Sequence, residues 1–131
     1  MQNENKGSYH LYQTLAPHGA GVRALATRGP WLITGSMDKQ VKIYKKENSK
    51  YELKNEVTIF EDFIYACHVR EDLEGFVVGC KNNMIYFLDT EGNPTAELEG
   101  HSGAVNSLSA RNGKLISGSW DGTAIVWDIK E

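Results

Sequence analysis

The chain has 131 residues, 40% of them apolar and 24% charged, with a net charge of −3 and a pI near 5.8. This is a soluble globular composition, at a length of one ordinary domain or a piece of one and enough to bury a core, and its acidic balance argues against a generic nucleic-acid binder, which carries a basic face. No apolar run approaches the roughly 20 residues of a membrane span, and the opening MQNENKGSYH has no apolar signal core.

In chain order, residues 1–7 read as a short disordered lead-in and 8–131 as three repeated units, at about 8–46, 47–90 and 91–131. Strands are expected at 8–15, 22–27, 31–36 and 40–45, where short apolar or alternating runs are punctuated by Gly, Asp and Pro. Trp31 opens a strand after Gly29-Pro30 and is expected to plug a sheet edge. Lys42, Lys45 and Lys46 are expected on a solvated strand face. A second group of strands follows at 51–60, 63–69, 75–80 and 84–89, and a third at 95–98, 104–109, 114–119 and 123–129. No segment carries a helical period. The fold class is therefore all-β, with twelve strands in three groups of four.

Cys67 and Cys80 lie 13 positions apart without a CxxC pattern or a histidine at metal-ligand spacing. They read as free, buried thiols in a reducing compartment, the cytosol or nucleus. His10 and His68 have no ligand partners at useful spacing. The pairs Glu61-Asp62 and Glu71-Asp72 lack a D-x-D-x-D-G loop and read as solvated. No metal and no cofactor are expected.

The chain repeats itself. TGSMDKQVKIYK (Thr34 to Lys45), VGCKNNMIYFLD (Val78 to Asp89) and SGSWDGTAIVWD (Ser117 to Asp128) align at offsets of 44 and 39 residues. Gly fills the second column each time. Asp38, Asn82 and Asp121 fill the fifth, Ile43, Phe87 and Val126 the tenth, and Tyr44, Leu88 and Trp127 the eleventh; Tyr44, Phe87, Val126 and Trp127 are expected in the core or packed between sheets. Upstream, LAPHGAGVRALA (Leu15 to Ala26) matches LEGHSGAVNSLS (Leu98 to Ser109) without a gap, so that His18 and His101 coincide. The middle copy carries Phe60 where the others carry His, and an insertion at REDLEG.

GH…SGSWDG…VWD at a period of roughly 40 residues resembles the WD-repeat β-propeller. The third unit matches strongly; the first has Pro17 for Gly and Tyr44-Lys45 for Trp-Asp, and the second is degenerate. Within WD repeats, the YHLYQTL opening and the string LEGHSGAVNSLS…SGSWDGTAIVW resemble the N-terminal blades of the phospholipase A-activating protein family. The fold that this implies is four-stranded antiparallel propeller blades. The role that it implies is that of a ubiquitin-binding adaptor of an AAA-type ATPase in ubiquitin-dependent protein degradation. That family's ATPase-binding domains are not in these 131 residues.

The resemblance also implies a buried hydrogen-bond network of His101, Asp121, Ser117 (or Ser119) and Trp127, repeated in the first unit by His18, Asp38 and Thr34 or Ser36. The second unit has lost it, with Phe60, Asn82, Val78 and Leu88, and is expected to hold by apolar packing. The same residue types would suit a Ser-His-Asp triad. However, a triad exposes its serine on a sharp turn beside oxyanion donors, whereas these serines lie within a strand and the constellation recurs 83 residues away. The reading is a structural staple and not an enzyme.

Two columns are expected to face a partner at one end of the molecule. One follows the first apolar residue of the inner strand: Arg23, Tyr65 and Asn106. The other precedes the turn Asp or Asn: Met37, Lys81 and Trp120. Their mixture of Arg, Tyr, Met and Trp is rich in interface anchors. Ubiquitin is the leading candidate partner; blades that contact only other blades are the alternative. Three blades are too few for a ring, which takes typically about 4–8. Further blades or a second copy, the N-terminal strand of each finishing a blade of the other, are expected to close it.

Overall fold

The structure, a computed structural model, describes residues 7–15 and 17–129, so most of the expected lead-in, residues 1–6, lies outside the described residues. It contains no helix among these residues, and its strands form three antiparallel sheets that bear out the all-β expectation. The first sheet runs β1 (Val22–Arg28), β2 (Trp31–Ser36), β3 (Val41–Glu47) and β4 (Lys50–Val57). The second runs β5 (Ile64–Val69), β6 (Phe76–Cys80), β7 (Ile85–Leu88) and β8 (Pro94–Leu98). The third has three strands, β9 (Val105–Arg111), β10 (Lys114–Ser119) and β11 (Ala124–Asp128). Within each sheet, strands that follow one another in sequence are neighbours, so every connection is a hairpin.

Residues 8–15 do not form the strand expected of them; only Tyr9 makes an isolated bridge. The segment is held against the start of β4 by side chains instead. The Gln13 amide accepts from the Tyr51 N–H at 3.0 Å and donates to the Tyr51 carbonyl at 2.8 Å, imitating a backbone pair. The Tyr12 hydroxyl donates to the Ser49 carbonyl, and Lys50 Nζ donates to the Tyr12 carbonyl at 3.2 Å.

The core lies between the sheets. One layer joins Ile33, Val41, Ile43 and Val57 of the first sheet to Ile64, Cys67, Phe76, Val78 and Leu88 of the second; Trp31 packs against it with its ring edge-on to Phe76 at 5.5 Å. The other joins Val77, Ile85 and Phe87 to Val105, Leu115 and Trp127. The glycine column sets how closely the sheets approach. A Cβ on Gly35 would stand 2.4 Å from Ile64 Cγ2, and one on Gly79 would stand 2.7 Å from Val105 Cγ1. The inner strand of each following sheet therefore rests on glycine backbone.

Two expectations are corrected by this packing. Val126, expected in the core, is 62% exposed, whereas Ile43 and Phe87 of the same column are buried. The column faces the following sheet, and the third sheet has no sheet behind it among the described residues. Lys42, expected in solvent, is buried at the first sheet's outward side; its ammonium donates to the Pro17 carbonyl and lies 3.7 Å from Glu56.

Candidate functional site

The inner strands β1, β5 and β9 each begin with a register irregularity. Val22 pairs with Ser36 and Ala24 with Gly35, which leaves Arg23 between them; Ile64 and Ala66 flank Tyr65 in the same way, and Val105 and Ser107 flank Asn106. A bulge turns the extra residue out of the pleat and re-aims its side chain. The Arg23, Tyr65 and Asn106 column is therefore the set of bulged residues.

The second column is tied to the first by a repeated backbone bond. The N–H groups of Met37, Lys81 and Trp120 donate to the carbonyls of Gly21, Phe63 and Ala104, at 3.2, 2.9 and 2.9 Å. Those carbonyls lie immediately before the inner strands. Each turn residue is thereby fixed beside its own bulge, and all six positions share one end of the molecule.

Across sheets, three of the six come together. The Arg23 guanidinium lies over the Tyr65 ring at 5.0 Å, and the Tyr65 ring lies 5.2 Å from the Trp120 ring at 37°. Tyr65 is buried by this stack, while Trp120, which covers it, keeps 58% of its surface exposed. Lys81 lies over Phe63 at 5.0 Å, and Phe63 is 6.3 Å from Tyr65, which brings the lysine to the margin of the same patch. Asn106 lines a groove of about 300 Å³ with Arg23 and Tyr65 between the inner strands. Met37 is exposed on its own turn, outside the stack. Phe63 was not singled out from the sequence; the available signal was a large aromatic in a column where the other units have Gly21 and Ala104.

Below this surface, the indole N–H of Trp127 donates to Ser117 Oγ at 2.8 Å. Indole nitrogen is only a donor, so the serine proton is directed at His101 Nε2, 2.7 Å away, and the imidazole proton on Nδ1 is directed at Asp121 Oδ2, 2.9 Å away. Asp121 also accepts from the Ser102 and Thr123 N–H groups and from the Thr123 hydroxyl. The Thr123 hydroxyl bond is the largest influence, and together with the bonds from His101 and Ser102 it outweighs desolvation and holds the carboxyl well below the usual carboxylate range. Ser119 takes another part: its hydroxyl accepts from the Asp121 N–H and tightens the turn.

The first unit repeats the chain with His18 Nδ1 3.0 Å from Asp38 and Nε2 2.7 Å from Thr34 Oγ1; the Tyr44 phenol bonds the same threonine. Ser36 instead donates to the Gly21 carbonyl. Burial would raise the Asp38 pKa, but bonds from the Gly19 and Gln40 N–H groups and from His18 outweigh it and lower it. Gly100 gives the larger residue its room: a Cβ there would stand 2.7 Å from the outer ring of Trp127. The first unit pairs Pro17 with the smaller Tyr44.

In the second unit, Phe60 packs edge-on to Tyr86 at 5.2 Å in place of the histidine. Packing is not alone there, because Asn82 Nδ2 donates to the Tyr86 hydroxyl at 2.7 Å. Ser117 is fully buried and its hydroxyl is engaged on both sides, so no substrate reaches it. Both cysteines are free and buried, and burial pushes the Cys67 thiol up to about 12. Among the described residues, no cluster of three or more His, Cys, Asp or Glu is placed to hold a metal ion.

The pattern of the family described as "WD domain, G-beta repeat" matches residues 9–45 and 92–128. Protein DOA1 of Saccharomyces cerevisiae is 33% identical over 124 residues, which cover 91% of this chain and 17% of that protein. The ubiquitin fusion degradation protein 3 homolog of Caenorhabditis elegans is 27% identical over 140 aligned positions, covering all of this chain and 16% of that protein. The crystal structure of the WD40 β-propeller domain of Doa1 superposes with a TM-score of 0.77 at 30% identity, over 88% of this chain and 40% of that one. The chain thus spans about a sixth of the length of these two relatives and less than half of the solved propeller. They bear out the resemblance to the phospholipase A-activating protein family that the SGSWDG string carries.

Proposed function

The chain belongs to the WD-domain, G-beta repeat family, and we propose that it is a non-catalytic, protein-binding propeller segment that recognises ubiquitin in ubiquitin-dependent protein turnover, in the cytosol or nucleus. The observation that carries this reading is Trp120, a large aromatic 58% exposed against a buried Tyr65 whose ring Arg23 also contacts. An indole held against a rigid support loses little conformational freedom when a partner covers it, which is the character of an interface anchor. The name of one relative, the ubiquitin fusion degradation protein 3 homolog, supports the same reading. Retention on immobilised ubiquitin tests it. Trp120→Ala should lower retention by about tenfold or more, while Lys114→Ala, at the other end of β10, leaves it unchanged; equal retention of wild type and Trp120→Ala would refute the reading.

A second reading has its own observation. Leu25 on the outward side of the first sheet is 66% exposed, and Ile116 and Val126, paired across the outward side of the third, are exposed as well. Apolar faces of this kind are covered in stable assemblies. Further blades or a second copy cover them in the working molecule. If these blades only complete a ring, ubiquitin binding is absent and Trp120→Ala alters nothing but local packing.

A further inference from the structure

One contact between sheets is made twice, and its two halves stand unpaired on the third and first sheets. Gly35 of the first sheet lies against Ile64 and Cys67 of β5, and Gly79 of the second against Val105 of β9. Gly118 fills the same column of the third sheet, yet a Cβ there would meet only Ser107 of its own sheet among the described residues. Val22 and Leu25 of β1 hold the positions of Ile64 and Cys67. Val22 pairs with Ser36 as Ile64 pairs with Cys80, and Leu25 pairs with Thr34 as Cys67 pairs with Val78. Ile64 and Cys67 are buried, whereas Val22 and Leu25 are exposed. The third sheet therefore presents the glycine, and the first sheet the side chains, of one further contact of the same kind.

The outer strands follow a rule of their own. β4 ends three residues before Phe60 and β8 three residues before His101, and each leads into the inner strand of the next sheet. Leu15 stands three residues before His18 in the same way. Residues 8–15 thus hold the place of an outer strand in the repeat, one belonging to a sheet that precedes the first. Within their own chain they make no ladder beyond the isolated bridge at Tyr9; bonds through the Gln13, Tyr12 and Lys50 side chains hold them on the start of β4. Tyr9, Leu11 and Tyr12 are left exposed. β11, in turn, is the edge of a three-stranded sheet, with no strand on its outer side among the described residues. An open edge of this kind is a template for a strand from another chain.

We infer that a second copy of this chain docks head to tail, with its Val22 and Leu25 against Gly118 and its residues 8–15 exchanged onto the edge of β11. The inference rests on the covering of the outward faces argued above, commits that covering to a second copy, and is independent of the Trp120 surface. The other two sheets set the register. Ile43 pairs with Asn55 and Tyr44 with Leu53 across an irregularity, as Phe87 pairs with Ala96 and Leu88 with Pro94. The same columns pair Val126 with Gln13 and Trp127 with Leu11 of the second copy. Both halves of the contact lie on every chain, so the second copy returns the contact to the first. A head-to-tail contact that returns on itself closes and does not grow into a filament. Two copies bring six sheets, within the range of about 4–8 for a closed ring.

Sedimentation equilibrium of the full chain at about 100 µM, a concentration that fills an interaction of micromolar strength, should give twice the 14.6 kDa of one chain. Leu25 is exposed on the single chain, so Leu25→Asp should leave the far-UV circular dichroism unchanged. It should weaken association by about a hundredfold or more, because docking would bury its carboxylate without a partner. Directly opposed residues on antiparallel strands lie about 4.5–5.5 Å apart at Cα, within reach of a disulfide. Gln13→Cys combined with Val126→Cys should therefore yield a covalent dimer under mild oxidation at least about tenfold faster than either single variant. A mass of one chain, masses beyond two chains, a dimer that survives Leu25→Asp, or cross-linking no faster than in the single variants would overturn the inference. Trp120→Ala should leave the mass unchanged, so loss of ubiquitin retention and loss of the dimer are separate outcomes.

Discussion

Trp120 and Tyr65 belong to different sheets, and their rings lie 5.2 Å apart. The contact follows from two repeated features: a bulge that turns Tyr65 out of β5, and a backbone bond from the Trp120 N–H to the Ala104 carbonyl. The scaffold thus delivers any side chain at these columns to the same end of the molecule. What differs between units is the side chain delivered, and under the proposed function specificity would reside there.

Ser117 is the centre of the buried network. Ser117→Ala leaves His101 Nε2 and the Trp127 indole N–H without their shared partner, and should cost about 2 kcal/mol or more. Ser117→Thr should recover most of this, since Thr34 fills the position in the first unit. Asn82→Ala in the second unit should cost less, because it removes one neutral bond to Tyr86 at the margin of an aromatic contact. Urea melts of the three variants check the order.

Asp38 and Asp121 have pKa values lowered in the fold. Groups of this kind add stability above the unfolded carboxylate pKa, near 3.9, and lose it as pH falls through the folded value. Stability should therefore be level in this respect above pH about 5 and fall below pH about 4. Asp121→Asn should reduce that fall, with a lower plateau at neutral pH. Thermal melts between pH 7 and pH 2 measure it; an unchanged acid slope in the variant would count against the network.

The turn after each network Asp or Asn puts a residue in the left-handed region: Lys39 at φ 70°, Asn83 at 77° and Gly122 at 89°. Only the third unit has glycine there. Lys39→Gly should stabilise the chain by up to about 1 kcal/mol, as relief of the Cβ clash outweighs glycine's entropy in the unfolded state. Gly35→Ala should act in the opposite sense, by about 1–3 kcal/mol, because its Cβ would collide with Ile64. Chemical denaturation of both variants tests whether the repeat columns have the roles assigned to them.

The fold was legible because a glycine and a turn residue recur at fixed columns in all three units, with a large apolar or aromatic residue at a third column. Gly35 and Gly79 show the glycine's job to be inter-sheet contact, which a period in the sequence registers only as a small residue. The network residues could be written down from the first and third units, yet Ser117 and Ser119 share one face of β10, and only the distances show that Ser117 meets His101 and Trp127 while Ser119 bonds the turn. The segment at 8–15 was misread, since alternation reports strand propensity and a strand needs a neighbour; here Gln13 takes the place of a ladder. Burial of Lys42 was hidden too, because its partners, the Pro17 carbonyl and Glu56, lie 25 residues before it and one strand across.

The most direct measurement is a titration of unlabelled ubiquitin into the isotope-labelled chain, with the shifts mapped by residue. The account predicts shifts at the backbone of Arg23, Tyr65, Lys81 and Trp120 and at the Trp120 indole, and their loss in Trp120→Ala while the chain remains folded. Shifts confined to the outward faces around Leu25 and Val126, or no shifts at ubiquitin concentrations up to about 1 mM, where the interaction would be worth only about 4 kcal/mol, would contradict it.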